Sequence, residues 1–319
     1  MAVEHNVVKM LLWAKNLGVS FEKTLTLGHQ GFECSPSRFR RALRDFGFSN
    51  TQKEIGRCFH RPPMGQLFVD EFFHLLGAKE ITTVDRSDFE GANLLHDLNE
   101  RFPESQRGQY NFVFDGGTLE HIFNYPAALR NCLELIRPGG YFLTITPASN
   151  LMGHGFYQFS PELFFRVFSE SNGFALSKIV LYNSSKTDAT FYQVNDPAAA
   201  KGRNNLISSQ PMYLAVLAQR VAIAPILAQP PMQSDYVAGW ENHALSQVKS
   251  TLDDPRLTKR LRVALNPYLP YWLLNWKRTF VSAWNREPST LNNRRHFQKL
   301  SHCQICCERH CPPNAGNKI

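Results

Sequence analysis

The sequence contains no uninterrupted apolar run approaching the roughly 20 residues that a helix needs to cross a bilayer, so an integral helical membrane protein is not expected. Its first apolar stretch is broken by Lys9, Lys15 and Asn16, and no small-residue cleavage site follows, so no secretory signal is expected either. Charged residues are scarce, at 19%, against 43% hydrophobic residues; that excludes a chain held open by its own charge and predicts a packed core. No internal repeat is found, which excludes a solenoid. Cysteines are few in the body (Cys34, Cys58 and Cys132), and without a signal their thiols are expected to stay reduced in a cytoplasmic protein.

What is present is unevenly placed. The formal charge is +8, yet residues 1–250 carry 23 basic and 23 acidic side chains, while residues 251–319 carry 12 basic and 4 acidic ones. A basic segment of this kind either forms solvated helices or contacts an anionic surface, which leaves peripheral membrane attachment open. A chain of 319 residues accommodates one large domain and an appendage. The expected layout is a body over 1–222 with an insertion at 29–63, a linker over 223–239 and a helical basic extension over 240–300. Residues 301–319 are expected to form a disordered tail. In the extension, Trp272, Trp276, Phe280 and Trp284 recur at four-residue steps, a stripe suited to packing on the body, on a second copy in a homo-oligomer, or at a membrane interface. Cys303, Cys306, Cys307, His310 and Cys311 are ligand types for zinc, but they crowd into nine residues with no loop between ligand pairs, so a solvated tail is expected.

Within the body, elements alternate. Residues 5–17 read as a helix, 23–27 as a first strand ended by Gly28, and 64–76 as an amphipathic helix ended by Gly77. Strands at 80–84, 93–96 and 110–114 are each followed by an acid: Asp85, Asp97 and Asp115. A helix over 124–136 is stopped by Arg137-Pro-Gly-Gly140, and a strand follows at 141–146. Ser160-Pro161 opens another helix, and strands at 176–182 and 212–221 close the body. Alternation of this kind predicts a mostly parallel sheet with helices on both faces and a ligand at the carboxyl ends of the strands. An acid after the second strand is placed to accept from two ribose hydroxyls, and Asp97-Leu98 can meet an adenine. The alternative is that each acid merely caps its own turn.

Three stretches, Asp115-Gly-Gly-Thr-Leu-Glu-His-Ile122, Tyr125-Pro-Ala-Ala-Leu-Arg130 and Leu135-Ile-Arg-Pro-Gly-Gly140, resemble the core of class I S-adenosylmethionine-dependent methyltransferases, most of all the methyltransferase type 11 group. The resemblance spans roughly residues 23–221 and is strongest over 80–150. It implies a Rossmann-like, doubly wound sheet of seven strands with the last antiparallel, and S-adenosylmethionine as cofactor. Asp85 with Arg86 would hold the ribose, Asp97 and Leu98 would flank the adenine, and Asp115, Gly116, Gly117 and Thr118 would line the methionine end.

The departure lies in the first loop. The family's Gly-x-Gly-x-Gly is replaced by Gly28-His-Gln-Gly31, so either His29 or Gln30 supplies the missing contacts or the cofactor site has decayed into a scaffold. A nicotinamide oxidoreductase is disfavoured by the same missing glycines.

Methyl transfer mainly requires alignment, and His121 is the candidate base. The Glu-x-x-Glu-His set by which some relatives hold a metal has Gly117 in its first place, so no catalytic metal is expected. His154, Tyr157 and Gln158, after the fifth strand, are candidates for the wall of a small-molecule or glycan-like acceptor site.

Overall fold

Alternation along the central strands sorts the core into two layers. A computed structural model describes residues 2–60, 65–183, 189–241 and 290–306. Its strands are β1 (Lys23–Leu27), β2 (Glu80–Asp85), β3 (Leu94–Leu95), β4 (Tyr110–Asp115), β5 (Ile136–Ser149), β6 (Phe174–Asn183), β7 (Phe191–Val194), β8 (Met212–Arg220) and β9 (Phe297–Lys299). They form one sheet in the order β3-β2-β1-β4-β5-β8-β6-β7-β9. Phe112, Phe114, Leu143, Ile145, Ala215 and Leu217 face one layer. Val113, Phe142, Leu214, Val216 and Ala218, interleaved with them, face the other.

Helices α1 (His5–Asn16), α2 (Pro36–Asp45) and α4 (Asp70–Leu75) cover the first face, and α5 (Tyr125–Leu135) and α6 (Pro161–Val167) cover the second. A short α3 (Gln52–Arg57) starts on a capping box in which Thr51 and Glu54 satisfy each other's backbone donors. The described part of the 29–63 segment, read from sequence as an insertion, thus contributes Phe32, Phe39, Leu43 and Ile55 to the main core.

The expected doubly wound α/β sheet is present, with three corrections. The described residues form nine strands, not seven. Strand β8 is antiparallel to both β5 and β6, as the resemblance implied of the final strand, but β7 and β9 extend the sheet beyond β6. Residues 290–306, assigned from sequence to an extension and a tail, return to the body: β9 pairs with β7, and Leu300, Ile305 and Cys306 enter the core beside α1. The aromatic stripe at 268–284, most of the expected basic extension and Cys307, His310 and Cys311 lie outside the described residues.

Second, the helix expected over 64–76 is confined to Asp70–Leu75. The segment before it is extended because its backbone pairs with the first loop: Phe32 N donates to Leu67 O, and Val69 N to Gln30 O.

Third, Arg137-Pro-Gly-Gly140 lies inside β5 and not before it: Tyr110 pairs with Ile136 and Phe112 with Tyr141, so these four residues bulge out of the ladder, with Gly139 at φ +83°. The end of α5 is closed from β8 instead. The Arg220 guanidinium, buried, donates through Nη1 to the carbonyls of Leu133 (3.4 Å), Glu134 (3.1 Å) and Ile136 (2.6 Å), so the chain leaves the helix straight into the strand.

Arg220→Leu keeps the bulk but strips those carbonyls of their donor. We expect it to lower unfolding free energy by about 2–4 kcal/mol, read as a lower urea midpoint at unchanged slope. A loss below about 0.5 kcal/mol would mean that water replaces the guanidinium there.

Candidate functional site at the strand switch point

From β1 the sheet runs one way to β2 and β3 and the other way to β4 and β5, so the switch point lies between β1 and β4. In open α/β sheets the crevice beyond the carboxyl ends at that point is where ligands bind. Leu27 pairs with Val84 and with Asp115, which brings the ends of β1, β2 and β4 level.

Asp115 organises the turn after β4. It is fully buried; Oδ1 accepts from the backbone of Gly117 (3.2 Å), Thr118 (2.8 Å) and Leu119 (3.3 Å), and Oδ2 accepts from Thr144 Oγ1 at 2.7 Å. Burial raises its pKa in spite of these four bonds. Its carboxylate therefore shapes the turn and has no oxygen left to face a ligand. Thr118 Oγ1 in turn donates to the Leu27 carbonyl at 2.8 Å and ties this turn to the end of β1.

Gly28 follows, at φ +68°, and a Cβ there would stand 3.4 Å from Thr118 Oγ1 and 3.6 Å from Asp85 Oδ2. Those distances are ordinary contacts, so it is the left-handed backbone that calls for glycine where the three strand ends meet. Asp85 uses Oδ1 on the backbone N–H of Arg86, at 2.6 Å, while Oδ2 points towards Gly28. Asp97 accepts twice from Asn99 through Oδ1, and its Oδ2 lies 3.8 Å from Arg86 Nε; Leu98 beside it is buried. Hydrogen bonds from Asn99 hold the Asp97 carboxyl below its ordinary range.

The two residues in place of the missing glycines do different things. Gln30 turns inward and is buried, with Nε2 donating to Leu27 O at 2.5 Å, while Oε1 has no partner among the described residues. That amide lies over Gly116, where a Cβ would meet Oε1 at 2.5 Å. His29 turns outward and stacks on Phe68, with ring centroids 3.6 Å apart and planes within 5°. Its Nδ1 is 2.6 Å from the Glu90 carbonyl and its Nε2 is 2.7 Å from Asp70 Oδ2. Two acceptors facing both ring nitrogens select the imidazolium. Burial opposes that charge, but the bonds to Asp70 and Glu90 outweigh it and raise the His29 pKa; Asp70 is lowered, its burial outweighed by His29.

On the other side of the turn, the loop after β5 folds down onto the 119–123 segment. Phe156 N and Tyr157 N both donate to the Glu120 carbonyl, and Tyr157 OH donates to Phe123 O at 2.6 Å. His154 and Tyr157 therefore overhang the turn, whereas Gln158 folds back to accept from Leu151 N. Phe123 and Phe156, exposed at 75% and 67%, pack edge to face 6.0 Å apart and form an apolar lip. His121 is exposed, its ring 5.2 Å from that of His154. Its pKa is lowered, first by partial burial and then by His154.

The sequence reading missed Glu120, although it lies inside the Leu-Glu-His motif, because burial of a middle residue leaves no mark on the pattern. It also missed Asp70 and Thr144, whose roles depend on contacts distant in sequence. Cavities of about 570 and 750 Å³ open elsewhere, the first along β6 and β7 at Lys178 and Arg295, the second at Glu162 and Arg203. Neither is lined by Gly28, Gln30, Asp85, Asp97 or the 115–118 turn.

No family model matches the chain, and no curated protein does. Among solved structures it is similar to an S-adenosylmethionine-dependent methyltransferase from Mesorhizobium loti, at 13% identity and TM-score 0.35, over 66% of this chain and 96% of that one. It is also similar to the 1,6-didemethyltoxoflavin-N1-methyltransferase of Burkholderia thailandensis, solved with 1,6-didemethyltoxoflavin and S-adenosylhomocysteine, at 14% identity and TM-score 0.34, over 68% of this chain and 78% of that one. No helix among the described residues is long and apolar enough to cross a membrane.

The His29–Asp70 pair makes stability depend on pH. A raised histidine contributes fully below its unfolded value of about 6.5 and loses that contribution as pH rises through its folded value. A lowered aspartate contributes above about 3.9 and loses it as pH falls through its folded value. His29→Ala is expected to cost only about 1–2 kcal/mol near pH 5.5, because Asp70 is partly exposed, and less near pH 9, where His29 has lost its proton. Urea unfolding of both proteins at the two pH values checks this; an equal loss at both would show that His29 is neutral.

Proposed function

We propose that the strand-end site binds S-adenosylmethionine and transfers its methyl group to a small-molecule or glycan-like acceptor. The observation that carries this reading is a set of acceptors left open at the switch point: Asp85 Oδ2 beside Gly28, and the buried, unpartnered Oε1 of Gln30 over Gly116. Asp85, with Arg86 alongside, suits a ribose diol. Asp97 and buried Leu98 suit an adenine, one by polarity and the other by its apolar surface. Gln30 Oε1 suits an ammonium group at the methionine end, next to the Gly116–Thr118 turn. The chain thus meets the demand of the absent glycines with a side-chain amide, and His29 serves by pinning the loops rather than by touching the cofactor.

When bound, the cofactor supplies a methyl group on a sulfonium, already a good leaving group. The protein's share is alignment and proton removal. His154 and Tyr157 form a wall above the turn, the Phe123–Phe156 lip gives an acceptor an apolar surface to lie on, and His121 is a base with a depressed pKa that leaves it neutral near pH 7.

Calorimetric titration with S-adenosylmethionine and with S-adenosylhomocysteine tests the reading. We expect micromolar binding of both and, in Asp85→Ala, at least about tenfold weaker binding, the loss of one hydrogen bond to a charged group. Binding of neither ligand would make the chain a scaffold with a decayed cofactor loop.

A further inference from the structure

Directly beyond the Asp115 turn stands a fully buried carboxylate that nothing satisfies. Neither oxygen of Glu120 has a hydrogen-bond partner among the described residues, and Nε2 of His154 has none either. The two face each other at 3.5 Å, too far for a good hydrogen bond. His121 completes a group in which one ligand atom from each of the three residues lies within 4.8 Å of the others. A buried ionised carboxylate without a partner is costly; such groups are found neutralised, paired or bound to a metal.

We propose that Glu120, His121 and His154 form a binding site for a divalent cation of the zinc class, on the acceptor side of the strand-end site. Two imidazoles and a carboxylate are the donor set of three-ligand zinc sites that keep a fourth position open. Magnesium and calcium favour oxygen-only shells, which this set does not offer. Bonds of about 2.0–2.1 Å in a tetrahedron set ligand atoms about 3.4 Å apart. The Glu120–His154 separation of 3.5 Å already has that spacing. His121 is exposed and closes the remaining distance by side-chain rotation. The backbone serves the same approach: a Cβ on Gly155 would stand 3.0 Å from the Glu120 carbonyl and 3.2 Å from His121 Nδ1, so glycine lets the loop that carries His154 come down onto the turn.

The site is held together by His154 from the loop after β5, not by the incomplete Glu-x-x-Glu-His spacing, which led us to expect no metal. Its fourth position would take an acceptor oxygen. That last role rests on the methyl-transfer reading, in which His121 with the cation bound serves as a ligand in place of a base; the cation site itself does not.

The full chain, stripped with a chelator and titrated with cobalt(II), reports through its electronic spectrum. We expect one equivalent bound, with visible d–d bands, no thiolate charge-transfer band, and displacement by zinc. Glu120→Gln and His154→Ala should each weaken binding at least about tenfold with far-ultraviolet dichroism unchanged. If Glu120→Gln fails to fold, His121→Ala and His154→Ala decide. The proposal falls if no d–d bands form, if only thiolate bands form (the cysteines at 303–311 having taken the metal), or if the variants titrate like wild type. Cobalt binding without S-adenosylmethionine binding would overturn the methyl-transfer reading and leave the cation site. The reverse would overturn the cation site alone.

Discussion

The candidate site depends on one buried carboxylate. Asp115 spends both oxygens inside the protein, on three consecutive backbone N–H groups and on the Thr144 hydroxyl of β5. Those bonds fix the turn, and both sides of the site hang from it. Through Thr118 the turn reaches Leu27 and the first loop. Through the Glu120 carbonyl it receives the loop after β5. A carboxylate completely out of water is tolerable because four donors surround it, and losing any of them would expose the desolvation cost of the remainder.

The first loop solves a problem usually left to glycines. Without Gly-x-Gly, side chains must leave the crevice or serve it. His29 leaves, drawn outward between Phe68, Asp70 and the Glu90 carbonyl, and so bridges the loop after β1 to the loop after β2 and to the start of α4. Gln30 stays, and the short extended segment at 66–69 pairs along the backbone on its outer side. The same pairing shortens the helix that the amphipathic pattern placed over 64–76. Local periodicity there competes with tertiary hydrogen bonds and loses.

What could be read from the sequence follows from this division. β1 to β4 announce themselves by short apolar or β-branched runs that stop at Gly28, Asp85, Asp97 and Asp115, because the chain must turn at each strand end. Asp85, Asp97 and the 115–118 turn were located by the same logic. That Asp115 would face inward was not legible, since its spacing is equally that of a ligand-facing acid and of a turn cap. β7 and β9 escaped because each is short and its partner is remote: Phe191–Val194 needs Phe297–Lys299, more than a hundred residues away, to become part of the sheet. His154 was recognised as overhanging the site, but its meeting with Glu120 depends on a loop geometry set by backbone bonds and a glycine.

Comparison of the two buried carboxylates gives the strongest physical reason to look for function beside them. Asp115 and Glu120 lie on one turn and both are fully out of water. One has four donors; the other has none within hydrogen-bond distance. Burial raises the Glu120 pKa to about 8, with the charge of Asp115 adding to the effect. A residue kept for packing alone would be better served by leucine or methionine, which fill similar space without a desolvation penalty. Retaining a carboxyl there is costly unless something outside the chain repays it, and unpaid local costs concentrate where proteins bind or react. Glu120 faces His154, which is itself partly exposed, so a group that satisfies the carboxyl would reach it past that imidazole.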